Sequence, residues 1–548
     1  MKTNALYYGD NLDILRRYVP DESVDLVYLD PPFNSNRDYN VIFRDESGRR
    51  SDAQLLAFED TWHWGPGAED TYAYLTNSSM HGGRVPSSVS QIVAALRAGI
   101  GTNQLLAYVV EMTARLVELH RVLKPTGSLY LHCDPTASHY LRVVLDAIFG
   151  PEQFRSEISW KRHSAHPNAT RNFGNVRDIL LYYVRSSRAG FSTVFVPYDQ
   201  TYVDGFFRFV DSQGRRYRTN SLKNPADRPN LKYEYKGYPP PSSGWLVGRE
   251  RMEQWDAEGR LEFPKKPDGR ITLRYYLDDM PGLPVSNDWS DIPSLANNTS
   301  EKLGYPTQKP LALLERVIAA SSKPGDVVLD PFCGCGTALV AAHKLERQWI
   351  GIDITFLAIT VMKARLRDSF GLEAVEVIGQ PTEVAGAKAL ALAPDGRYQF
   401  QWWALGLVDA QPQGGVKKKG ADAGIDGVIT FTDKGGELRQ VLVSVKSGGV
   451  GRKDIADLKN SVERDKAAIG LFITLEEPTG PMRQEAALAG VYHSELWNRD
   501  YPRIQLLSIR ELLEERRRPD LPPFVLSSYA KAEKIKADDG TEQQALFG

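Results

Sequence analysis

Short apolar runs that end on an acid recur in the first part of the chain: ALYYGD at residues 5–10, VDLVYLD at 24–30 and GSLYLHCD at 127–134. A run with little polar alternation, bounded by charged or turn-forming residues, reads as a strand covered on both faces. Between the second and third runs, residues 104–123 carry apolar side chains at helical spacing, and Lys124-Pro125-Thr126-Gly127 marks a turn that stops this helix and starts a strand at Ser128. Strands alternating with helices predict a parallel α/β sheet.

From about residue 151 this rhythm breaks. Pro, Gly and Asn become frequent, PPPSSG occupies 239–244, and only short β-like runs remain. The alternation returns with PLALLERVIAAS (310–321) as a helix, DVVLDPF (326–332) as a strand, TALVAAHKL (337–345) as a helix and WIGIDI (349–354) as a strand. An inserted module therefore splits one doubly wound sheet. After Gly371 the character changes again. The expected organisation is a first half of the core over 1–150, an insert over 151–300, the second half over 301–375, a further domain over 376–515 and a polar tail over 516–548.

Composition narrows the class without naming it. A chain of 548 residues with 42% hydrophobic content can bury a large core and has room for about three domains. No run approaches the apolar length of a membrane span, and MKTNALYYGDNLDILRRYVP lacks the apolar segment of an export signal, so a cytoplasmic protein is expected. Cys133, Cys333 and Cys335 are an odd set that cannot staple a secreted scaffold, and Cys333 and Cys335 lack the second ligand pair of a structural zinc site. A net charge of −2 excludes a generic polyanion binder. The charge is uneven, however: residues 151–275 hold 22 Lys/Arg against 14 Asp/Glu, with Trp160, Tyr182, Tyr183, Phe206, Phe207, Tyr217, Tyr233 and Tyr235 among Arg171, Arg177, Arg215, Arg216 and Lys232. Positive charge beside stacking surface fits a nucleic-acid face, and a solvated arginine-rich surface fits it equally.

Two words carry chemistry. Asp330-Pro331-Phe332-Cys333-Gly334-Cys335-Gly336-Thr337 follows one apolar run and opens a helix, so small residues let the backbone approach a ligand where helix N–H groups are unpaired. Asp353 ends the next strand, where a carboxylate could accept both hydroxyls of a ribose. Far upstream, Leu29-Asp30-Pro31-Pro32-Phe33 fixes an acid at a strand end between rigid residues.

With these words in this order, the chain resembles the amino-methyltransferases that move a methyl group from S-adenosylmethionine to an exocyclic base nitrogen in DNA. The resemblance spans roughly residues 5–368 and adds GYPTQKPLALLERVI at 304–318; the catalytic word preceding the cofactor word matches the β-class permutation. It implies a Rossmann-like methyltransferase sheet with a target-recognition insert. Asp30 is then the catalytic acid, Pro31 the carbonyl acceptor for the target amine, Pro32 part of the same corner, and Phe33 the ring stacked on the extruded base. Asp330, Phe332, Gly334, Gly336, Thr337, Asp353 and the Thr307-Gln308-Lys309-Pro310 word become cofactor contacts, and Asp10 the acid near the cofactor's adenine. Asp-Pro-Pro rather than Ser-Pro-Pro points to adenine N6, with cytosine N4 the alternative. Double-stranded DNA is the implied partner, and a homodimer is left open. His132 and Asp134, at a strand end near the expected site, are assigned no role.

The further domain resembles an α/β restriction-endonuclease-like fold of the Mrr-like group, through Asp426 on one strand-like run and Ser444-Val445-Lys446 on the next. In that pattern Asp426 would bind Mg²⁺ and Lys446 would help to activate water. Ser444 stands where the pattern has an acid or Gln, which leaves cleavage open beside a degraded domain kept for DNA binding.

Overall fold

The apolar runs form the middle of one mixed sheet. The computed structural model describes the chain except residues 33–37, 45–49, 60–62, 163–172, 265–268, 297–298, 300, 304, 306–307, 394–395, 414–423, 524–531, 533 and 536–548, with backbone alone for 38–44 and 50–59. Nine strands, β1 (Ala5–Tyr8), β2 (Val24–Leu29), β3 (Leu123–Cys133), β4 (Phe154–Lys161), β5 (Arg177–Val184), β6 (Asp288–Trp289), β7 (Val327–Asp330), β8 (Gln348–Asp353) and β9 (Glu376–Ile378), lie in the order β6-β4-β5-β3-β2-β7-β8-β1-β9. β5 runs antiparallel to both its neighbours, and the other pairs are parallel.

Sequence order and sheet order interleave at the centre. β7 inserts between β2 and β8, with Val328 opposite Leu26 and Leu329 opposite Val27. Asp25 fastens this junction: its carboxylate accepts from Lys124 Nζ at 2.9 and 2.8 Å and from the backbone N–H of Val327 at 2.9 Å. Helices α1 (Asn11–Tyr18), α2 (Gln104–Val122) and α3 (Pro135–Phe149) follow or precede strands that are apolar on both faces. α1 starts where Asp10 caps Leu12 N–H at 2.8 Å, and buries Ile14 and Leu15. These helices pack with Val27, Leu29, Leu129 and Leu131 into one core. The opposite face presents Tyr130, whose hydroxyl lies 2.7 Å from Ser321 Oγ at the end of α4 (Leu311–Ser321). Two helices complete this half, α5 (Thr337–Lys344) and α6 (Phe356–Phe370).

Three expectations change. β3 begins at Leu123, so the Lys-Pro-Thr-Gly stretch lies inside a strand whose pairing with β2 shifts between Val24 and Leu26. The insert is narrower than 151–300, because β4, β5 and β6 belong to the main sheet; the separate compact unit covers Thr193–Ser286 among the described residues. Residues 376–378 pair with β1 and extend the main sheet, so the further domain begins later than expected. The aromatic face also dissolves on inspection: Trp160, Tyr182, Tyr183, Phe207, Tyr217 and Tyr235 are buried, and of the eight only Phe206 is exposed as a large apolar surface. Arg215 pairs with Asp278 and Asp279, Arg216 with Asp204, and Lys232 with Asp227, so these three cations are ion-paired within their own unit. Arg171 lies outside the described residues.

The unit 193–286 has a four-stranded antiparallel sheet, ordered 261–262, 272–276, 216–221, 209–210, over a core of Leu222, Trp245, Met252, Ile271 and Leu273. Farther along the chain, a five-stranded mixed sheet uses residues 411–412, 427–432, 438–446, 469–474 and 504–508 in sequence order, covered by helices Arg452–Arg464 and Gly480–Ala487. A helix at Gly396–Gly406 packs on α6: Gln399 accepts from Phe356 N–H at 3.4 Å, and Trp403 stands 6.5 Å from the Phe356 ring. Among the described residues no helix is long and apolar enough to cross a membrane.

Replacing Asp25 with Ala is expected to cost about 1–3 kcal/mol by leaving the Val327 donor unpaired. Thermal unfolding should show a lower midpoint for Asp25→Ala and no change for Asp13→Ala, whose pair with Arg17 is exposed.

Candidate functional site

Strand order reverses between β2 and β7: β7 leads to β8 on one side, and β2 leads to β3 on the other. In an open α/β sheet this is where a crevice forms at the carboxyl ends. A cavity of about 350 Å³ lies there. It is lined by residues from the ends of β1 (Gly9, Asp10, Asn11), β2 (Tyr28, Asp30, Pro32), β7 (Asp330 to Cys335) and β8 (Asp353 to Thr355), with Tyr305, Gln308 and Lys309 closing another side.

The glycine loop is shaped by its own backbone. Gly336 N–H donates to Cys333 O at 2.7 Å, and Cys333 N–H to Ile352 O at 3.1 Å. Gly334 and Gly336 have φ of +49° and +75°, and a Cβ at Gly336 would stand 2.9 Å from Met362 Cγ. Only glycine meets both demands. Asp353 braces the loop: Oδ2 accepts from Gly334 N–H at 3.0 Å, and Oδ1 from the N–H and hydroxyl of Thr355, both at 2.9 Å. At the other end, Phe332 N–H donates to Asp330 Oδ1 at 3.0 Å.

Three groups near this cavity were not singled out by sequence. Buried Arg115, on α2, donates to Asp10 Oδ2 at 2.8 Å and to Asn11 Oδ1 at 2.7 Å, while Asn11 Nδ2 donates to Pro331 O at 2.8 Å. This joins the end of β1 to the glycine loop. Tyr305 fills the space in front of Gly334, where an added Cβ would come within 3.2 Å of its ring. Tyr28 lines the floor. An arginine in an apolar helical stretch was the only signal available; nothing local announced its partners.

Of the expected site residues, Asp10, Asp30, Pro32, Gln308, Lys309, Asp330, Phe332, Gly334, Thr337 and Asp353 line this one cavity. Pro31 is buried beside it, Pro310 caps α4, and Gly336 turns the loop from behind. Phe33 and Thr307 lie outside the described residues. Lys309, expected among the cofactor contacts, lines the cavity and donates from its ammonium to Asp30 Oδ2, and both side chains are largely buried.

Carboxylates dominate the electrostatics. Burial, reinforced by Asp30 and Asp353, pushes the Asp330 carboxyl well above its usual range. Burial also pushes Asp353 up to about 6, against its hydrogen bonds from Thr355 and Gly334. Four acids around a cavity with an aromatic and aliphatic wall suit a ligand that brings positive charge and hydroxyl donors. S-adenosylmethionine, the cofactor implied by the sequence resemblance, fits this donor set: a sulfonium, a ribose diol and a purine ring.

The second expected site is arranged differently. Asp426 accepts from Gln401 Nε2 at 2.7 Å and Val445 N–H at 2.6 Å, with Ser444 Oγ at 3.5 Å and Lys446 Nζ at 3.9 Å. Burial raises its carboxyl. Both oxygens are engaged by the protein, and among the described residues no group of three or more His, Cys, Asp or Glu could hold a metal ion.

Comparisons with known proteins agree with this division. The model of the DNA methylase family (N6_N4_Mtase) matches residues 24–362, and that of the NACHT-associated inactive Restriction Endonuclease 1 matches 413–514. The Type II methyltransferase M.EcaI of Enterobacter cloacae is 32% identical over 260 residues, 47% of this chain and 57% of the relative, so the chain spans little more than half the length of that protein. The DNA adenine methyltransferase YhdJ of Escherichia coli (strain K12) is 23% identical over 64% of this chain and 79% of its own. Among solved structures, the cytosine-N4-specific PvuII DNA methyltransferase aligns at 14% identity over 65% of this chain and 84% of that one, with a TM-score of 0.32, too low to support any argument from shape.

Because an ionised Asp353 is a stronger acceptor and attracts a sulfonium, affinity for S-adenosylmethionine is expected to rise with pH up to about 6 and to fall below that by up to about tenfold per unit. Calorimetry across pH 5–8 checks this. Asp353→Asn should flatten that portion of the curve.

Proposed function

Because the chain belongs to the DNA methylase family, we propose that it transfers a methyl group from S-adenosylmethionine to the exocyclic amine of a DNA base, N6 of adenine. The observation that carries this reading is that Asp30 and the glycine loop, some 300 residues apart in sequence, line the same cavity.

The chemistry needs what the cavity offers. An aromatic exocyclic amine is a weak nucleophile because its lone pair is delocalised into the ring. Two acceptors that hold its N–H groups let the nitrogen pyramidalise and present that pair. The Asp30 carboxylate and the Pro31 carbonyl are such acceptors, and consecutive prolines fix φ and remove donors that would compete for them. Lys309 neutralises Asp30 in this structure, so the carboxylate is buried without being left unpaired. When bound, S-adenosylmethionine supplies an activated methyl group; the protein orients, desolvates and moves protons, so positioning and electrostatics carry most of the rate. The target base must leave the duplex, and an Asp-Pro-Pro corner, rather than Ser-Pro-Pro, favours adenine over cytosine. The unit 193–286, inserted between the two halves of the core, is the candidate for reading the DNA around that base.

The domain that contains Asp426 is read as non-cleaving. Metal-assisted hydrolysis needs more than one carboxylate at the ion, and Ser444 stands where a second acid would be, while Asp426 accepts from Gln401 and Val445. This supports binding or packing as its role.

Incubation with labelled S-adenosylmethionine and double-stranded DNA, followed by digestion to nucleosides, should yield N6-methyladenine, and Asp30→Ala should lower the rate by on the order of 10²–10³-fold with cofactor affinity retained. N4-methylcytosine in its place would overturn the base assignment. In parallel reactions with Mg²⁺, plasmid DNA is expected to stay supercoiled; nicks that disappear in Lys446→Ala would overturn the non-cleaving reading.

A further inference from the structure

Behind the cavity, buried polar side chains cross four neighbouring strands, and the reading above makes no use of them. Tyr28 on β2 pairs with Tyr130 on β3, and His132 pairs with Leu180 on β5. Strand alternation therefore sets Tyr28, Asp30, His132 and Asp178 on one face of the sheet. The Tyr28 hydroxyl lies 3.0 Å from His132 Nδ1, and His132 Nε2 lies 3.2 Å from Asp178 Oδ2. Arg162 Nη1, just past the end of β4, pairs with Asp178 Oδ1 at 3.0 Å. His132 and Asp178 are completely buried. Apolar packing alone does not call for an imidazole and a carboxylate kept from water in the middle of a sheet.

The partners fix where the hydrogens sit. Burial pushes the Asp178 carboxyl up, but the hydrogen bond from His132 and the charges of Lys309 and Arg162 outweigh it and bring the carboxyl below its usual range. A carboxylate only accepts, so His132 carries its hydrogen on Nε2 and offers the Nδ1 lone pair to the Tyr28 hydroxyl. Tyr28 lines the cavity two residues before Asp30, one of whose oxygens is already held by Lys309, and its oxygen, donating to His132, keeps its acceptor capacity.

Alkylating an amine leaves its nitrogen with one proton too many. We propose that Tyr28, His132 and Asp178 form the route by which the target amine gives up that proton as its bond to the methyl group forms. This rests on the methyl-transfer reading. One N–H bond breaks and its electron pair stays on nitrogen. The proton joins the Tyr28 oxygen as the hydroxyl's own hydrogen passes to His132 Nδ1. The resulting imidazolium faces the Asp178 carboxylate, and the proton returns to solvent once product has left. Tyr28 touches the base; His132 and Asp178 act through it.

The test compares wild type, Tyr28→Phe and His132→Asn, the second of which keeps an acceptor near the Nδ1 position but cannot carry a proton. In single-turnover reactions both variants should transfer methyl about 100-fold more slowly than wild type, while calorimetry shows wild-type S-adenosylmethionine affinity in His132→Asn, whose side chain lies behind the cavity. In ligand-free protein labelled with ¹⁵N-histidine, one ring should show a protonated Nε2 and an unprotonated Nδ1, and Asp178→Asn should shift that signal. Wild-type rates in either variant, losses that merely follow cofactor affinity, or a His132 protonated on Nδ1 would overturn the relay alone. A wild-type protein that moves no methyl to DNA would overturn the methyl-transfer reading and take the relay with it.

Discussion

The pairing of β2 with β7 is the constraint on which the rest depends. Two segments separated by nearly the whole methylase portion of the chain lie side by side, so the acid that ends β2 and the loop that follows β7 must open into the same space. Local words supply the functional groups, and long-range pairing brings them within reach. Asp25, Asn11 and Arg115 repeat this stitching with hydrogen bonds that each span roughly a hundred residues or more, which is why separate halves of the sequence can share one rigid floor.

The cavity crowds carboxyl groups into buried surroundings. Asp330 and Asp353 resist ionisation because burial outweighs their donors, and Asp30 keeps an ammonium beside it. Such a site is uncomfortable when empty and relieved by a cation that carries its own donors. The same logic explains why Asp353 is braced from three directions by Gly334 and Thr355. Its hydrogen bonds fix the backbone of the glycine loop at Gly334 and the chain that follows β8 at Thr355.

What sequence conveyed was local. The strand runs ending in Asp30, Asp330 and Asp353, the glycines at 334 and 336, and the helices that follow them were readable because each depends on neighbours within a few residues. The edge of the sheet was not. β4, β5 and β6 looked like part of an irregular insert, since an antiparallel edge strand carries no mark of its partner. Arginines interleaved with aromatics suggested a stacking surface, yet six of those eight rings are buried and several of the cations are paired within their own unit. His132 was passed over because a histidine at a strand end is usually packing; its contacts with Tyr28 and Asp178 come from other strands and leave no trace in the words around it.

The helix at 396–406 faces two ways. Gln399 reaches the backbone of Phe356, whose ring is stacked 3.6 Å from that of Tyr8 at the end of β1, and two residues later Gln401 holds the Asp426 carboxylate. One turn of helix thus belongs to both centres. Cutting the chain within this helix would bare Phe356 and strip Asp426 of a donor at one stroke, so a replacement C-terminal part has to bring a helix that makes both contacts.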